Sequence, residues 1–371
     1  MKYAILSCLL LLTAPVLIPQ TGPAPQDQHL AEIRAKRARG ETVTPEERDY
    51  VLSAQELQME INSAAHSKPW VAAHPTQDST GLTPLPDLGK GQYKGEQGGL
   101  YPQGENTMPA AHRKAGMKLA KSMGPLDKDG RPSPDGKVVL LSIGMSNTTQ
   151  EFRSFLKLAK SHRAELNSKL EVVDGAQSSQ TAAIIADPNA AYWNTPLSQL
   201  KDAGLTPAQV QIVWFKEADK EPKEAFPAEV KKLQAEMVTI MHHLHDKFPN
   251  LKMVYISPRI YGGYSLRPLN PEPHAYETGF AVKWLIGDQI AGNPELNFDP
   301  AKGPVRTAWM AWGPYIWADG VKPSKAGLVW LREDLSPDGV HPSVMGREKV
   351  AQLLLAFFKN DPTTVPWFIR H

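Results

Sequence analysis

The sequence predicts an α/β fold: a largely parallel sheet with helices on both faces. Three observations predict it. Short unbroken apolar runs, Val138–Ile143 and Val210–Phe215 above all, read as strands buried on both faces. These runs alternate with stretches of helical apolar period, at the spacing of βαβ units. The run Val138–Ile143 stops at a turn residue, Gly144, and a second run, Leu170–Val173, stops at Asp174-Gly175.

Taken in order, the 371 residues suffice for one large domain with appendages, or for two domains. Lys2 and the apolar run Ala4–Ile18 have the form of a signal peptide, assigned to residues 1–22. The run is short of the roughly 20 apolar residues that span a bilayer. The expectation is a secreted or periplasmic protein with no membrane partner once the signal is removed. The single cysteine, Cys8, lies in that segment, so the mature chain would have no disulfide or thiol chemistry. A lipid-attachment reading of Leu6-Ser7-Cys8 suffers from the short apolar run before it.

Residues 23–66 read as a helical hairpin. Leu30, Ile33, Val51, Leu52, Leu57 and Ile61 recur at loose helical spacing, and Thr44-Pro45-Glu46-Glu47 is a helix start. Residues 67–136 read as an extended loop and a helix. Pro69–Asn106 is rich in Gly, Pro and Gln without a sustained period, in keeping with the 33 prolines of the chain. It is expected to be a tether, or to line a cleft through Tyr93, Tyr101 and His112. Met108–Met123 returns to helical spacing.

Residues 137–371 carry the α/β pattern. Strands are expected at Lys137–Ile143, Leu170–Val173, Val210–Phe215, Leu251–Ile256 and Val305–Met310. Helices are expected at Thr149–Leu166, Pro227–Phe248, Tyr276–Ile290 and Val344–Phe358, with Thr148 and Glu151 at capping-box spacing. No internal repeat is present. A net charge of +2 gives no field for nucleic acid or an anionic membrane. His242, His243 and His245 lack the i,i+4 spacing of a helical metal pair, so no metal is expected.

The chemistry is expected at the carboxyl end of the first strand. Ser146 follows Gly144 there, just before a helix, where open α/β sheets bind ligands. Backbone N–H groups at such a turn can stabilise an oxyanion. Late in the chain, Asp338 and His341 stand three apart in a Pro/Gly-rich loop. An aspartate so placed can fix one imidazole tautomer while the other ring nitrogen faces a serine hydroxyl. The alternative is a helix-capping turn with an incidental histidine.

Gly144-Met145-Ser146-Asn147-Thr148, Gly175, and Asp338-Gly339-Val340-His341-Pro342-Ser343 resemble the blocks of the SGNH/GDSL hydrolases. The resemblance covers about residues 137–358. It implies a three-layer α/β/α sandwich with a flavodoxin-like sheet, and an esterase, lipase or carbohydrate deacetylase without metal or other cofactor. By it, Ser146 is the nucleophile, His341 the base and Asp338 its orienter, with the N–H groups of Ser146 and Gly175 in the oxyanion hole. Two positions depart from the family. Met145 replaces the acid of the first block. The third block, usually Gly-x-Asn-Asp, reads Lys216-Glu217-Ala218-Asp219, with Ala218 where the amide donor belongs. Lys216 is the nearest residue able to donate in its place.

Arg259, Tyr261 and Tyr264 follow the fourth strand and could clamp a polar substrate. Trp309, Trp312, Tyr315 and Trp317 could face a sugar ring or pack as core. Asn147-Thr148-Thr149 matches a glycosylation acceptor but stands too close to the serine turn to be open. Together these readings predict an exported serine hydrolase. Its substrate would be a small-molecule or polysaccharide ester, an acetyl group on a carbohydrate in the narrowest form. The alternative is a non-catalytic carbohydrate- or cell-wall-binding protein on the same scaffold.

Overall fold

The computed structural model describes residues 25–39, 41, 44, 47, 50, 51, 53, 54, 58, 61, 62 and 68–370. The expected signal peptide lies outside them. The chain divides into two compact units, residues 1–59 and 60–371.

In the first unit, helix α1 spans Pro25–Ala38. Thr44 and Glu47 form the reciprocal cap their spacing predicts. Thr44 N–H donates to Glu47 Oε2 at 2.8 Å, and Glu47 N–H to Thr44 Oγ1 at 3.2 Å. Lys36 Nζ, 3.0 Å from both Glu47 carboxylate oxygens, ties α1 to that turn.

The second unit is built on five parallel strands: β1 Val138–Gly144, β2 Leu170–Asp174, β3 Val210–Lys216, β4 Met253–Ile256 and β5 Trp309–Trp312. Their order in the sheet is β2-β1-β3-β4-β5. Among the described residues, six helices longer than a turn or two accompany them. These are α2 Ala110–Lys121, α3 Ser146–Ser161, α4 Asn194–Asp202, α5 Ala228–Lys247, α6 His274–Ile290 and α7 Val344–Asn360. Right-handed crossovers wind β1–α3–β2 one way across the sheet and β3–α5–β4–α6–β5 the other. So α3 covers one face, with α7 packed on it, while α5 and α6 pack together on the opposite face. The result is the three-layer α/β/α sandwich. Every residue of β1, β3, β4 and β5 is buried, as a sheet covered on both faces requires.

The strand order reverses between β1 and β3, and open α/β sheets bind their ligands in the crevice at the carboxyl ends of the strands flanking such a point. Gly144 ends β1 because nothing larger fits: a Cβ would meet Lys216 O at 2.3 Å and Thr148 Oγ1 at 2.5 Å.

Some boundaries differ from expectation. Helix α3 begins at Ser146, earlier than the expected Thr149, because Thr148 and Glu151 face β3 rather than cap the helix. The fifth strand is Trp309–Trp312, not Val305–Met310, and α4 was not anticipated. The stretch before the sheet is no simple tether. Asp319 accepts from Ser79 Oγ, Thr80 N–H, Thr80 Oγ1 and Gly81 N–H at 2.6–2.9 Å, fixing that loop to the domain. Tyr101 and His112 are buried, and His112 Nε2 donates to Met310 O at 2.8 Å. They belong to packing, not to a cleft.

Candidate active site

The crevice is floored by the first turn of α3. Met145 is extended, and the first backbone bond of the helix runs from Thr149 N–H to Met145 O at 3.1 Å. Ser146 N–H precedes that bond, so it is one of the orphan donors of a helix N-terminus. The side chains behind it are fixed across to β3 and the last loop. Thr148 Oγ1 donates to Lys216 O at 2.7 Å, and Asn147 Nδ2 to Val340 O at 3.1 Å. Asn147 is fully buried, which removes it as a glycosylation acceptor.

Asp338 and His341 sit in the turn before α7. Gly339 makes the turn possible: its φ is +69°, and a Cβ there would lie 1.8 Å from Tyr264 O. Asp338 Oδ1 accepts from Val340 N–H at 3.0 Å and His341 N–H at 3.1 Å. Its Oδ2 accepts from His341 Nδ1 at 2.7 Å. His341 Nε2 lies 2.8 Å from Ser146 Oγ. The network assigns the tautomer: Nδ1 carries the proton to the carboxylate, and Nε2 accepts from the serine hydroxyl. The structure thus joins Ser146, His341 and Asp338, which are widely separated in the chain, in one hydrogen-bonded line.

A residue that sequence reasoning missed completes the line. Arg267, in the loop after β4, places Nη2 3.0 Å from Asp338 Oδ2 and 3.3 Å from His341 Nδ1. Since Nδ1 already donates to Asp338, the arginine's acceptor is the carboxylate. Burial pushes Asp338 up, but the hydrogen bond and charge of His341, the Arg267 charge and the Val340 N–H outweigh it. The carboxyl is held at about 2.

The expected oxyanion donors fare differently. Gly175 N–H points back into the sheet, donating to Ser142 O at 3.2 Å and Ser142 Oγ at 3.1 Å. It extends the β1–β2 ladder by one residue, so it does not face the serine. Ala176 N–H and Gln177 N–H are also taken, by Asp174 Oδ1 at 3.2 Å and Gly144 O at 2.9 Å. Lys216 does not reach the crevice either. It is 1% exposed, with Nζ 2.5 Å from both carboxylate oxygens of Glu151 on α3. Burial pulls Lys216 down to about 8 and pushes Glu151 up, while their contact favours the ion pair. Of the expected donors, the Ser146 N–H alone is left.

The substrate-binding expectations for Tyr261, Trp312 and Trp317 are corrected too. Tyr261 and Trp317 are fully buried and Trp312 is 4% exposed. Tyr261 OH donates to Gln77 O at 2.8 Å, Trp317 Nε1 to Glu272 Oε1 at 2.8 Å and Trp312 Nε1 to Leu100 O at 2.5 Å. Large rings with their polar tips satisfied inside the protein are core. Arg259 is also buried, with Nε closed off and without a partner. Burial draws its pKa down, opposed by the charges of Glu151, Glu217 and Asp338. Among the described residues, no cluster of His, Cys, Asp or Glu is placed to hold a metal ion, and no helix is long and apolar enough to cross a membrane.

No protein-family model matches the chain, and no curated protein matches it. The solved structures similar to it at low identity include a hydrolase and an acetyltransferase domain. One is an alpha/beta hydrolase enzyme from the metagenome of Lake Arreo, Spain. It is 15% identical over 62% of this chain and 96% of its own, with a TM-score of 0.33. The other is the periplasmic domain of a lipopolysaccharide acetyltransferase of Salmonella ser. Paratyphi A. It is 12% identical over 67% of this chain and 95% of its own, with a TM-score of 0.34.

Proposed function

We propose that this protein is an exported serine hydrolase of the SGNH type that cleaves carboxylic esters through Ser146, His341 and Asp338. One observation carries the reading: the Ser146 Oγ–His341 Nε2–Asp338 relay, with heavy-atom distances of 2.8 and 2.7 Å. Those distances are within reach for proton transfer. The blocks around Gly144–Thr148 and Asp338–Ser343 support the family, and the signal-like run Ala4–Ile18 after Lys2 supports export.

In the first step Ser146 Oγ bonds to the ester carbonyl carbon, and its proton passes to His341 Nε2. The carbonyl π pair moves onto oxygen. That oxygen's lone pair then re-forms the carbonyl, the bond to the alcohol oxygen breaks, and the alcohol leaves with the proton from His341. Water attacks the acyl-enzyme by the same route, giving the carboxylic acid and free Ser146. Asp338 stays ionised throughout and holds the imidazole, balancing its charge when protonated. Trp312 and Trp317 are core residues and offer no ring face to a sugar.

The test is a panel of p-nitrophenyl esters and acetylated sugars, wild type against Ser146→Ala. Turnover of short esters that disappears in the variant is expected. A wild type inert across the panel would favour the binding-protein reading, to which the taken Gly175 N–H and the missing third-block amide already lean.

A further inference from the structure

Three cations stand near the carboxyl ends of β1, β3 and β4: Lys216, Arg259 and Arg267. Two of them face an anion directly. Lys216 is bound by Glu151, and Arg267 by Asp338. Arg259 is different. Among the described residues its guanidinium makes no hydrogen bond and no ion pair, although the residue is 3% exposed. The neighbouring Glu217 makes no hydrogen bond or ion pair to it; its Oε2 accepts from Ala218 N–H at 3.0 Å. Burying a guanidinium nitrogen without a partner is unfavourable. Such a group is retained where an anion forms beside it.

The fold places that charge at the serine's edge of the sheet. Arg259 follows β4 by three residues, and Ser146 follows β1 by two, with β3 between them. Arg259 N–H is fixed by Thr278 Oγ1 on α6 at 3.0 Å, which anchors the backbone of the turn. Glu151 lies just over one turn along α3 from Ser146, and Asp338 holds His341. Both act electrostatically on Arg259. So the turn that carries Arg259 lies at the same sheet edge as the turn that carries Ser146, with the turn where the family's amide is missing between them.

Resting on the hydrolase reading above, we propose that Arg259 is the side-chain donor of the oxyanion hole, in the role that Ala218 cannot fill. With Ser146 N–H, it stabilises the negative charge that forms on the ester carbonyl oxygen when Ser146 Oγ attacks. Arg259 transfers no proton, because a guanidinium stays charged across the working range. Its planar fork is a fixed donor array, unlike the loose point charge of a lysine. The substrate class that follows is an ester whose carbonyl oxygen is neutral in the ground state and anionic in the transition state.

The experiment compares wild type, Ser146→Ala, Arg259→Met and Arg259→Lys on p-nitrophenyl acetate, with thermal melting of each. Boron-11 NMR of phenylboronic acid runs alongside. Boron accepts the Ser146 Oγ lone pair as the proton moves to His341, giving an anionic tetrahedral adduct without turnover. Arg259→Met is expected to lower kcat about 100- to 1000-fold with little change in KM, and to weaken the boronate adduct by a similar factor. Arg259→Lys is expected to keep its melting transition and still lose at least about tenfold in kcat, for want of the fork. It carries the test alone should Arg259→Met fail to fold. Wild-type kcat and boronate affinity in a folded Arg259 variant, with Ser146→Ala inactive, overturn the Arg259 assignment and leave the hydrolase standing. A wild type with neither turnover nor adduct overturns both.

Discussion

Replacing Asp338 by asparagine isolates the part of the site that orients the histidine. Both carboxylate oxygens are acceptors: Oδ1 for the N–H groups of Val340 and His341, Oδ2 for His341 Nδ1–H and Arg267. An asparagine must keep its carbonyl oxygen on the two backbone N–H groups. Its NH2 then faces His341 Nδ1 and the Arg267 guanidinium, donor against donor. The imidazole is driven to the tautomer with the proton on Nε2, which cannot accept from Ser146 Oγ at 2.8 Å. The expected loss in kcat is about 10³–10⁴-fold, about 4–5.5 kcal/mol of transition-state stabilisation. The assay is steady-state hydrolysis of p-nitrophenyl acetate, with near-ultraviolet circular dichroism confirming the fold. A folded Asp338→Asn protein within about tenfold of wild-type kcat would refute the tautomer argument.

The same carboxyl predicts acid sensitivity. Its folded value of about 2 lies below the reference of about 3.9, so its contribution, roughly 2–3 kcal/mol, is whole above about pH 4. It is lost as pH falls through about 2, and urea unfolding of wild type should weaken over that window more than that of Asp338→Asn. Equal slopes would contradict it. Lys216→Met should destabilise the protein by about 3–5 kcal/mol by leaving Glu151 buried alone, and adding Glu151→Leu should restore much of it. A folded Lys216→Met with unchanged stability and lowered kcat would instead revive a catalytic lysine. Gly339→Ala, with its Cβ 1.8 Å from Tyr264 O, should shift the histidine loop and cut kcat about 100-fold. Wild-type rates would mean the loop adapts freely.

The sheet was legible because β1 and β3 are covered on both faces, which writes them as continuous apolar runs. The serine and the Asp–His pair were legible because a strand-end turn and a tight Pro/Gly-rich loop both leave local marks. What failed depended on contacts distant in sequence. Glu151 has the spacing of a cap, but β3 presents Lys216 to it and makes it an ion-pair partner. Gly175 has the right place in the chain, but the β1–β2 ladder runs one residue further and turns its N–H away. Trp309 and Trp312 left a sugar face and core packing both open, because the strand that buries them starts four residues after the expected Val305. The burial of Trp317 depends on Glu272 waiting to accept its N–H. Arg267 lies in a loop whose spacing says nothing about Asp338; only the fold joins them.

The central claim is that Ser146 is a nucleophile activated by His341. Covalent trapping tests it most directly. An alkyl fluorophosphonate transfers its phosphonyl group to an activated serine oxygen and releases fluoride, and mass spectrometry of the digested protein locates the adduct. The expected result is one label on the peptide containing Ser146, absent in Ser146→Ala and formed far more slowly in His341→Ala. An unlabelled wild type, or a label on another residue that persists in Ser146→Ala, would contradict the account.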